Sequence, residues 1–422
     1  MIMRKALPAI ISIFAFSSSA LFFRFRGPFW SRFHGPKGYN VASEKETINE
    51  IPSQGPPLLW RYSGCGKGFS SVTLAEGKIF TAGDFAEREF VIALNLQGHP
   101  LWKSQNGKSW RRATPGSRST PTYFEGVIYH LNPSGRLAAF QAKNGSELWS
   151  VDLKERFAAR YGTWGMAESV LVTKKAVFCC PGGSKGAVVA LDRRTGGTLW
   201  VNNEIEDRAA YSSPILIEHG EKKLLLALLE RHLVALDPET GRTLWSFQHY
   251  TPYGVNVITP LYYNGCVFIT GGYKTGSKLL KLARDGCSVK LVWFNPDLDN
   301  CHGGVILVNE FLYGSGCRKS KLGFLCVGWR TGKTFWKSPE IGKVSLVAAG
   351  NLLWAVKEKG EVLVIEANPE KCRILGRFRL PPGDNALCLA HPVLVDGILY
   401  IRRGRDLWAY RVGESLSSQK DG

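Results

Sequence analysis

The chain has 422 residues, of which 44% are hydrophobic and 21% are charged, an ordinary composition for a globular protein. This length suffices for two or three domains or for one large β architecture. The formal charge of +19 suits acidic partners such as nucleic acid, anionic polysaccharide or a membrane surface. Charge alone reports solubility and non-specific binding, so it selects no function.

The first 23 residues have the pattern of a secretory signal peptide. Arg4 and Lys5 precede an apolar run, residues 6–16, and the small residues 17–20 supply a cleavage position. Because residues 21–23 extend the run to about the minimum spanning length, an uncleaved N-terminal anchor is the alternative. The first cysteine is Cys65, which excludes a lipid-anchored cysteine near this segment. We expect an exported protein of the periplasm or cell envelope.

Seven segments repeat a strand–turn–strand pattern along the chain. Three clear copies are LAAFQAKNGSELW (137–149), AVVALDRRTGGTLW (187–200) and LVALDPETGRTLW (233–245). The copies that end in tryptophan place it at Trp102, Trp149, Trp200, Trp245, Trp293 and Trp336. An earlier tryptophan, Trp60, opens the series, and neighbouring tryptophans are 42–51 residues apart. The seventh copy, 360–376, has Gly376 at the tryptophan position.

Each unit divides into four short strands joined by turns rich in Gly, Asn and Asp, which is typical of a β-propeller blade. Glycine at the turn, as at Gly196, supplies a positive φ that other residues reach at a cost. In the strict copies a small residue stands ten positions before the tryptophan, as Ala190 does before Trp200. We expect these tryptophans to dock one blade on the next; the regular period disfavours the alternative that they contact a cofactor.

The last unit, 386–412, supplies three strands and lacks a fourth. The strand PLLWRYSG, residues 57–64, fits that place. The sequence therefore predicts an all-β, eight-bladed propeller of four-stranded blades at 57–412, closed by its N-terminal strand. Before it we expect an extended segment at 24–56, and after it a disordered tail at 413–422.

The repeats resemble those of the pyrroloquinoline-quinone-like (PQQ-like) propellers. That superfamily includes quinoprotein alcohol dehydrogenases and the non-catalytic outer-membrane protein assembly propeller. The segment WSRFHGPKGYNVA, residues 30–42, is also similar to the segment that opens exported bacterial propellers of this type. The resemblance covers residues 30 to about 412. Such repeats specify a fold more strongly than an activity.

The resemblance implies two functions. The quinoprotein pattern has adjacent cysteines over the quinone, a calcium ion and an aspartate base. This chain has adjacent cysteines, Cys179 and Cys180, but they end a second strand, whereas the enzymes' pair precedes a first strand. We expect Cys179–Cys180 to be a strained disulfide or two buried thiols without redox work. Cys301 and Cys317 flank one hairpin and are a second candidate disulfide, with free thiols as the alternative.

One loop, 295–304, offers Asp297, Asp299, Asn300 and His302 to a cation, but it lacks the full calcium-loop spacing, so a polar turn is favoured. The basic segment 103–118 is the most distinctive surface feature, because arginine beside tryptophan suits an anionic or aromatic partner. A solvated loop is the alternative. The candidate ligand face comprises Lys108, Trp110, Arg111, Arg112, Arg118, Tyr161, Trp164, Tyr250 and Tyr253.

The sequence thus predicts an exported, monomeric binding or assembly scaffold without catalytic activity. We expect a protein or an anionic polymer as its ligand, proximity to a membrane, no specific recognition of nucleic acid and no cofactor. The alternative is a quinoprotein dehydrogenase of alcohols or sugars that uses pyrroloquinoline quinone and calcium.

Overall fold

In a computed structural model, residues 29–43, 48, 51–52, 54–317 and 322–414 are described. They form eight four-stranded antiparallel sheets, which are the blades of a β-propeller. The predicted fold is confirmed, including its closure by the N-terminal strand. The predicted signal peptide or anchor, residues 1–23, lies outside the described residues, as does the predicted tail after Glu414.

Strands β2–β17 build the first four blades in chain order. Their bounds are β2 Thr73–Ala75, β3 Lys78–Phe85, β4 Arg88–Asn95, β5 Pro100–Lys108, β6 Thr122–Phe124, β7 Val127–Leu131, β8 Arg136–Gln141, β9 Glu147–Asp152, β10 Leu171–Val172, β11 Ala176–Cys179, β12 Val188–Asp192, β13 Thr198–Asn202, β14 Ile215–His219, β15 Lys222–Leu228, β16 His232–Leu236 and β17 Thr243–Gln248.

Strands β18–β32 build the other four blades, and β1 completes the last one. Their bounds are β18 Leu261–Tyr263, β19 Cys266–Gly271, β20 Gly276–Leu282, β21 Val289–Asn295, β22 Val305–Val308, β23 Phe311–Ser315, β24 Phe324–Gly328, β25 Thr334–Ser338, β26 Val344–Ala349, β27 Leu352–Lys357, β28 Glu361–Glu366, β29 Arg373–Arg379, β30 Val393–Val395, β31 Ile398–Arg403, β32 Asp406–Arg411 and β1 Leu58–Tyr62.

Two short helical turns interrupt the strands. They are α1, Leu153–Phe157, and a 3-10 turn at Pro252–Gly254. The loops that lead from one blade to the next share one face of the ring with the loops between second and third strands. We call this the mouth face. The tight turns lie on the opposite face, which we call the turn face.

The DxxTG turns follow from local hydrogen bonding. The Asp192 carboxylate accepts from the backbone N–H groups of Arg194 and Thr195 at 2.9 and 2.8 Å. Gly196 then adopts a φ of 70°, and its N–H donates to the Asp192 carbonyl. This turn ends the third strand and aims the fourth strand so that Trp200 lies opposite Ala190 across the sheet.

The tryptophans connect neighbouring blades. Each of seven indole N–H groups donates to a carbonyl in a turn of the next blade at 2.8–3.2 Å; the donor–acceptor pairs are Trp60–Leu96, Trp102–Ala142, Trp149–Arg193, Trp200–Pro238, Trp245–Gly286, Trp293–Trp329 and Trp336–Asn368. The Trp149 ring lies so close to Gly196 that a Cβ there would come within 2.7 Å of it. The same turn glycine therefore serves backbone conformation and indole docking.

The ring closes between β1 and β32, with Trp60 opposite Ala409. Gly376 of β29, which stands where a tryptophan is expected, lies opposite Val364 of β28. A Cβ on Gly376 would come within 2.6 Å of the Ile51 side chain. Ile51, from the segment before β1, therefore packs against β29 at the position of Gly376.

Residues 29–43 do not form the extended segment that we predicted. They are rich in turns and form a hairpin inside the central channel, which we call the plug. Its first arm pairs antiparallel with β2, where Trp30 and Leu74 exchange two backbone hydrogen bonds at 2.8 and 2.9 Å. Its second arm pairs parallel with β26 through Val41 and Ala348. The arms therefore run toward the mouth face and back again.

Within the described ranges no helix is long and apolar enough to cross a membrane.

Candidate functional site

The mouth face encloses a half-open cavity of about 340 Å³, which we call the mouth cavity. Its floor is the tip of the plug, Phe33 and His34, whose rings stack with centroids 3.9 Å apart. Blade-joining loops supply the wall, including Phe69, Arg118, Trp164, Tyr211, Lys343 and Leu389. The plug therefore closes the floor of the channel and leaves a bowl that opens at the mouth face.

Histidines hold the floor in place. A ring nitrogen of His34 hydrogen bonds to a ring nitrogen of His391 at 3.1 Å. Burial lowers the pKa of His34 well below its usual range, and it lowers that of His391 to about 3. Both imidazoles are therefore neutral near pH 7, so this contact is a hydrogen bond between uncharged rings.

Arg118, the last residue of the basic segment 103–118, forms part of the cavity wall. Its Nε donates to the Trp164 carbonyl, and its Nη2 donates to the carbonyls of Ala113 and Thr114 at 2.9 and 2.6 Å. Its guanidinium lies 5.9 Å from the ring centre of Phe69. Burial lowers the pKa of Arg118 to about 10, so it stays charged at neutral pH. A cation is thus fixed in an aromatic wall.

The opposite wall has a second polar group. His302 lies 3.3 Å from the Glu358 carboxylate, and Lys343 lies 3.9 Å from it. Lys343 also interacts with the Cys301 thiol, which is hydrogen bonded to the Cys317 thiol. That thiol contact and burial raise the pKa of Cys301. Both cysteines are free thiols here, and the Cys301–Cys317 disulfide stays a prediction.

Two of the nine predicted ligand-face residues, Arg118 and Trp164, line the mouth cavity. The rings of Trp110 and Tyr161 pack against each other with their centres 6.3 Å apart. Because Trp110 is buried, its ring faces the protein interior. The remaining five are Lys108, Arg111, Arg112, Tyr250 and Tyr253, all of them exposed and outside the cavity.

The adjacent cysteines lie away from the cavity. Cys179 belongs to the core between the second and third blades, and Cys180 to the core between the third and fourth. Successive side chains on a strand point to opposite sheet faces, so a disulfide would require the end of β11 to rearrange. Both are free, buried thiols, and burial raises the pKa of each well above its usual range.

Side chains of the predicted cation loop, 295–304, make contacts within the protein. Asp297 pairs with Lys337 at 2.8 Å, and the Asp299 carboxylate accepts from the backbone N–H of Cys317 at 2.8 Å. Asn300 donates to the Ser315 carbonyl at 2.7 Å, while His302 turns toward the cavity. Across the described residues, no group of three or more His, Cys, Asp or Glu could hold a metal ion.

The sequence reasoning missed most of the cavity. Phe33 and His34 lie in a segment without repeat pattern, and nothing in it signals a channel plug. Tyr211 directly precedes the SSP motif that opens a first strand, so its place in a blade-joining loop was available as a signal.

Fold and cavity define an eight-bladed propeller of the PQQ-like class with a closed channel. A sequence model of the family described as outer membrane protein assembly factor BamB matches residues 87–338, more than half of the chain. The chain belongs to this family of PQQ-like propellers.

Curated relatives fall into two groups. The outer membrane protein assembly factor BamB of Kangiella koreensis is 27% identical over 49% of this chain and 49% of its own length. The quinoprotein ethanol dehydrogenase of Pseudomonas aeruginosa is 27% identical over 35% of this chain and 25% of its own. The chain thus spans between a quarter and a half of these two relatives.

Solved structures share the fold. BamB from Moraxella catarrhalis superposes with a TM-score of 0.60 at 14% identity, covering 84% of this chain and 97% of that one. A europium-containing methanol dehydrogenase reaches a TM-score of 0.65 at 13% identity, covering 90% of both chains. At these identities the likeness concerns the fold alone.

Pyrroloquinoline quinone with calcium does not fit the residues of the mouth cavity. Calcium is held by six to eight oxygen ligands, commonly including several carboxylates. Glu358 is the sole carboxylate that lines the cavity in the described part of the chain, and it is already paired with His302 and Lys343. The adjacent cysteines lie in the blade cores and not over the cavity.

Proposed function

We propose that the chain is a binding or assembly scaffold of the cell envelope that docks a protein partner on its mouth face and catalyses no reaction. The plug carries this proposal, because it closes the channel and leaves an open bowl with an aromatic and basic wall. Relatives named as outer membrane protein assembly factors support both the role and the envelope location.

The plug also orients the scaffold. Its first described residue, Phe29, contacts Tyr123 in a strand end on the turn face, at a ring-centre distance of 6.3 Å. A membrane anchor in residues 1–23 would therefore hold the turn face toward the bilayer. The mouth face would then point away from the membrane, open to a partner.

Photo-crosslinking tests the proposal. A benzophenone amino acid replaces Tyr253, which is 72% exposed near the mouth, or Tyr263, which is 42% exposed at a turn between first and second strands. We expect Tyr253, but not Tyr263, to crosslink one envelope protein, which purified protein then binds again. Equal crosslinking from both positions, or crosslinking to anionic polysaccharide alone, would contradict a protein partner on the mouth face.

The dehydrogenase remains the competing function because quinoprotein relatives match the repeats. Purified protein is mixed with pyrroloquinoline quinone and calcium chloride, and ethanol and an electron-accepting dye follow. We expect no shift of the unfolding temperature and no dye reduction. Stoichiometric quinone binding with dye reduction would replace the scaffold by an enzyme.

A further inference from the structure

Arg118 has binding capacity that the fold leaves unused. Its Nε and Nη2 hold three carbonyl oxygens, whereas its Nη1 has no hydrogen bond to any described residue. No described carboxylate lies within ion-pair distance of it; the nearest buried acids are Asp84 and Glu89. Burial and the nearby Asp84 raise the pKa of Glu89, which favours its uncharged form. Burial raises the pKa of Asp84 to about 6, so Asp84 is largely ionised at neutral pH and offsets part of the Arg118 charge, but it leaves the Arg118 Nη1 without a hydrogen bond.

Tyr211 supplies a second unused group beside Arg118. Its side chain lines the mouth cavity and is only 7% exposed. Its hydroxyl lies near the Trp164 backbone but meets no partner at hydrogen-bonding geometry among the described residues. A buried hydroxyl without a partner costs free energy, which a ligand oxygen would offset.

We propose that Arg118 and Tyr211 together bind one carboxylate of a partner protein, whose neighbouring apolar side chain fills the mouth cavity above Phe33. Two free donors match the two oxygens of a carboxylate. Phe69, Trp164 and Leu389 offer the apolar wall that such a side chain requires. This inference rests on the proposed function, because it assigns the partner's chemistry to the same mouth.

A protein segment fits better than a free organic acid. Outside the cavity the wall continues into exposed cations, Lys108 and Arg112, the latter 5.8 Å from the Trp110 ring centre. An acidic chain that leaves the bowl would meet these charges. A small acid would use the cavity alone.

Binding of two peptides tests the carboxylate. The probe is acetyl-Gly-Asp-Phe-Asp-Gly-amide, and its control carries Asn at both Asp positions. Because hydrogen bonds to charged groups are stronger than neutral ones, we expect the acidic peptide to bind about tenfold more tightly to the full chain. Dissociation constants come from NMR titration. Equal binding of the two peptides would overturn the inference.

Tyr211→Phe tests the hydroxyl without removing the ring. We expect it to weaken the acidic peptide about tenfold, to leave the Asn peptide unchanged and to keep the unfolding temperature. Tyr263→Phe, on the turn face, is the matched control and should change the binding of neither peptide. Unaltered binding to Tyr211→Phe would remove this residue from the site.

Two further outcomes separate the hypotheses. If 3-phenylpropionate binds as tightly as the acidic peptide, the cavity serves a small acid and the protein-segment inference is wrong. If Tyr253 still crosslinks its protein while the peptides show no carboxylate preference, the scaffold stands and this inference alone fails. If position 253 gave no crosslink to a protein, the proposed scaffold function itself would be contradicted.

Discussion

Glu168 is a buried carboxyl that contacts the adjacent cysteines. Its Oε1 accepts from the Cys180 backbone N–H at 2.8 Å, and its Oε2 is buried without a hydrogen-bond partner among the described residues. Burial raises the pKa of Glu168 to about 7. The pair that suggested redox chemistry in the sequence thus lies beside a group that titrates near neutral pH.

The substitution Glu168→Gln should change how stability depends on pH. The folded chain holds the Glu168 proton more tightly than the unfolded chain, so the free energy of unfolding falls as pH rises from about 4.5 to about 7. This contribution amounts to about 3 kcal/mol. Glu168→Gln lacks this titration, so its free energy of unfolding in urea should rise relative to that of the wild type by about 3 kcal/mol between pH about 4.5 and about 7. A constant difference between the two proteins would contradict the assignment.

The candidate site was only partly predictable at the level of single residues. The basic loop and the aromatic loops led to Arg118 and Trp164, because blade topology places them on the mouth face. Burial depth was not predictable: Trp110 turns inward against Tyr161, a matter of three-dimensional packing. The SSP motif after Tyr211 indicates a blade-joining loop, but the unpartnered hydroxyl of Tyr211 is apparent only in the fold.

At the scale of elements, each blade depends on the next through a tryptophan and a turn. Trp149 shows the arrangement: it is 9% exposed, donates to the Arg193 carbonyl at 3.0 Å and covers Gly196. Its neighbour Leu148 points outward and is 46% exposed. Trp149 thus joins two blades, whereas its neighbour Leu148 faces the solvent.

We expect Trp149→Ala to lower the free energy of unfolding by about 3–5 kcal/mol, because it removes a large buried ring. Trp149→Phe keeps most of the apolar surface and should cost about 1 kcal/mol for the lost hydrogen bond, with more if the Arg193 carbonyl stays unpaired. Leu148→Ala, the control, should change it by less than about 0.5 kcal/mol. Urea unfolding measures all three, and a Trp149→Ala value like that of Leu148→Ala would contradict the docking role.

The strands and turns of the blades were predictable from periodicity, because each blade repeats the same buried strand pattern and the same type of turn. Periodicity could not predict what replaces the missing tryptophan at Gly376. There Ile51 comes from a segment outside the repeats. A contact between a repeat and a non-repeated segment leaves no periodic trace in the sequence.

For the whole molecule, the plug is the feature that the sequence did not reveal. It bonds to inner strands of several blades: the Tyr123 N–H donates to the Ser31 carbonyl at 2.7 Å, and the Ala348 N–H donates to the Asn40 carbonyl at 3.0 Å. Residues 30–42 were identified by resemblance as an opening segment, which gave no position in the ring.

Deleting residues 29–43 should expose the inner strands. We expect the backbone amides of Leu74, Tyr123 and Ala348 to exchange hydrogen faster with solvent, because each donates to the plug. Amides in the middle of β15, which are bonded within their own blade, should keep their protection. Hydrogen exchange measured by NMR distinguishes the two sets. Unchanged exchange at all three amides would show that the plug does not seal the channel.

The plug also fixes an order of events during synthesis. His34 and its partner His391 are 357 residues apart in sequence, and Asn40 and Leu346 are 306 apart. The plug is synthesised before these two partners, so its contacts with His391 and Leu346 can form only after most of the blades have been made. Contacts over such separations form slowly. The tip and second arm of the plug therefore reach these two partners only late in folding, when the blades that carry them exist.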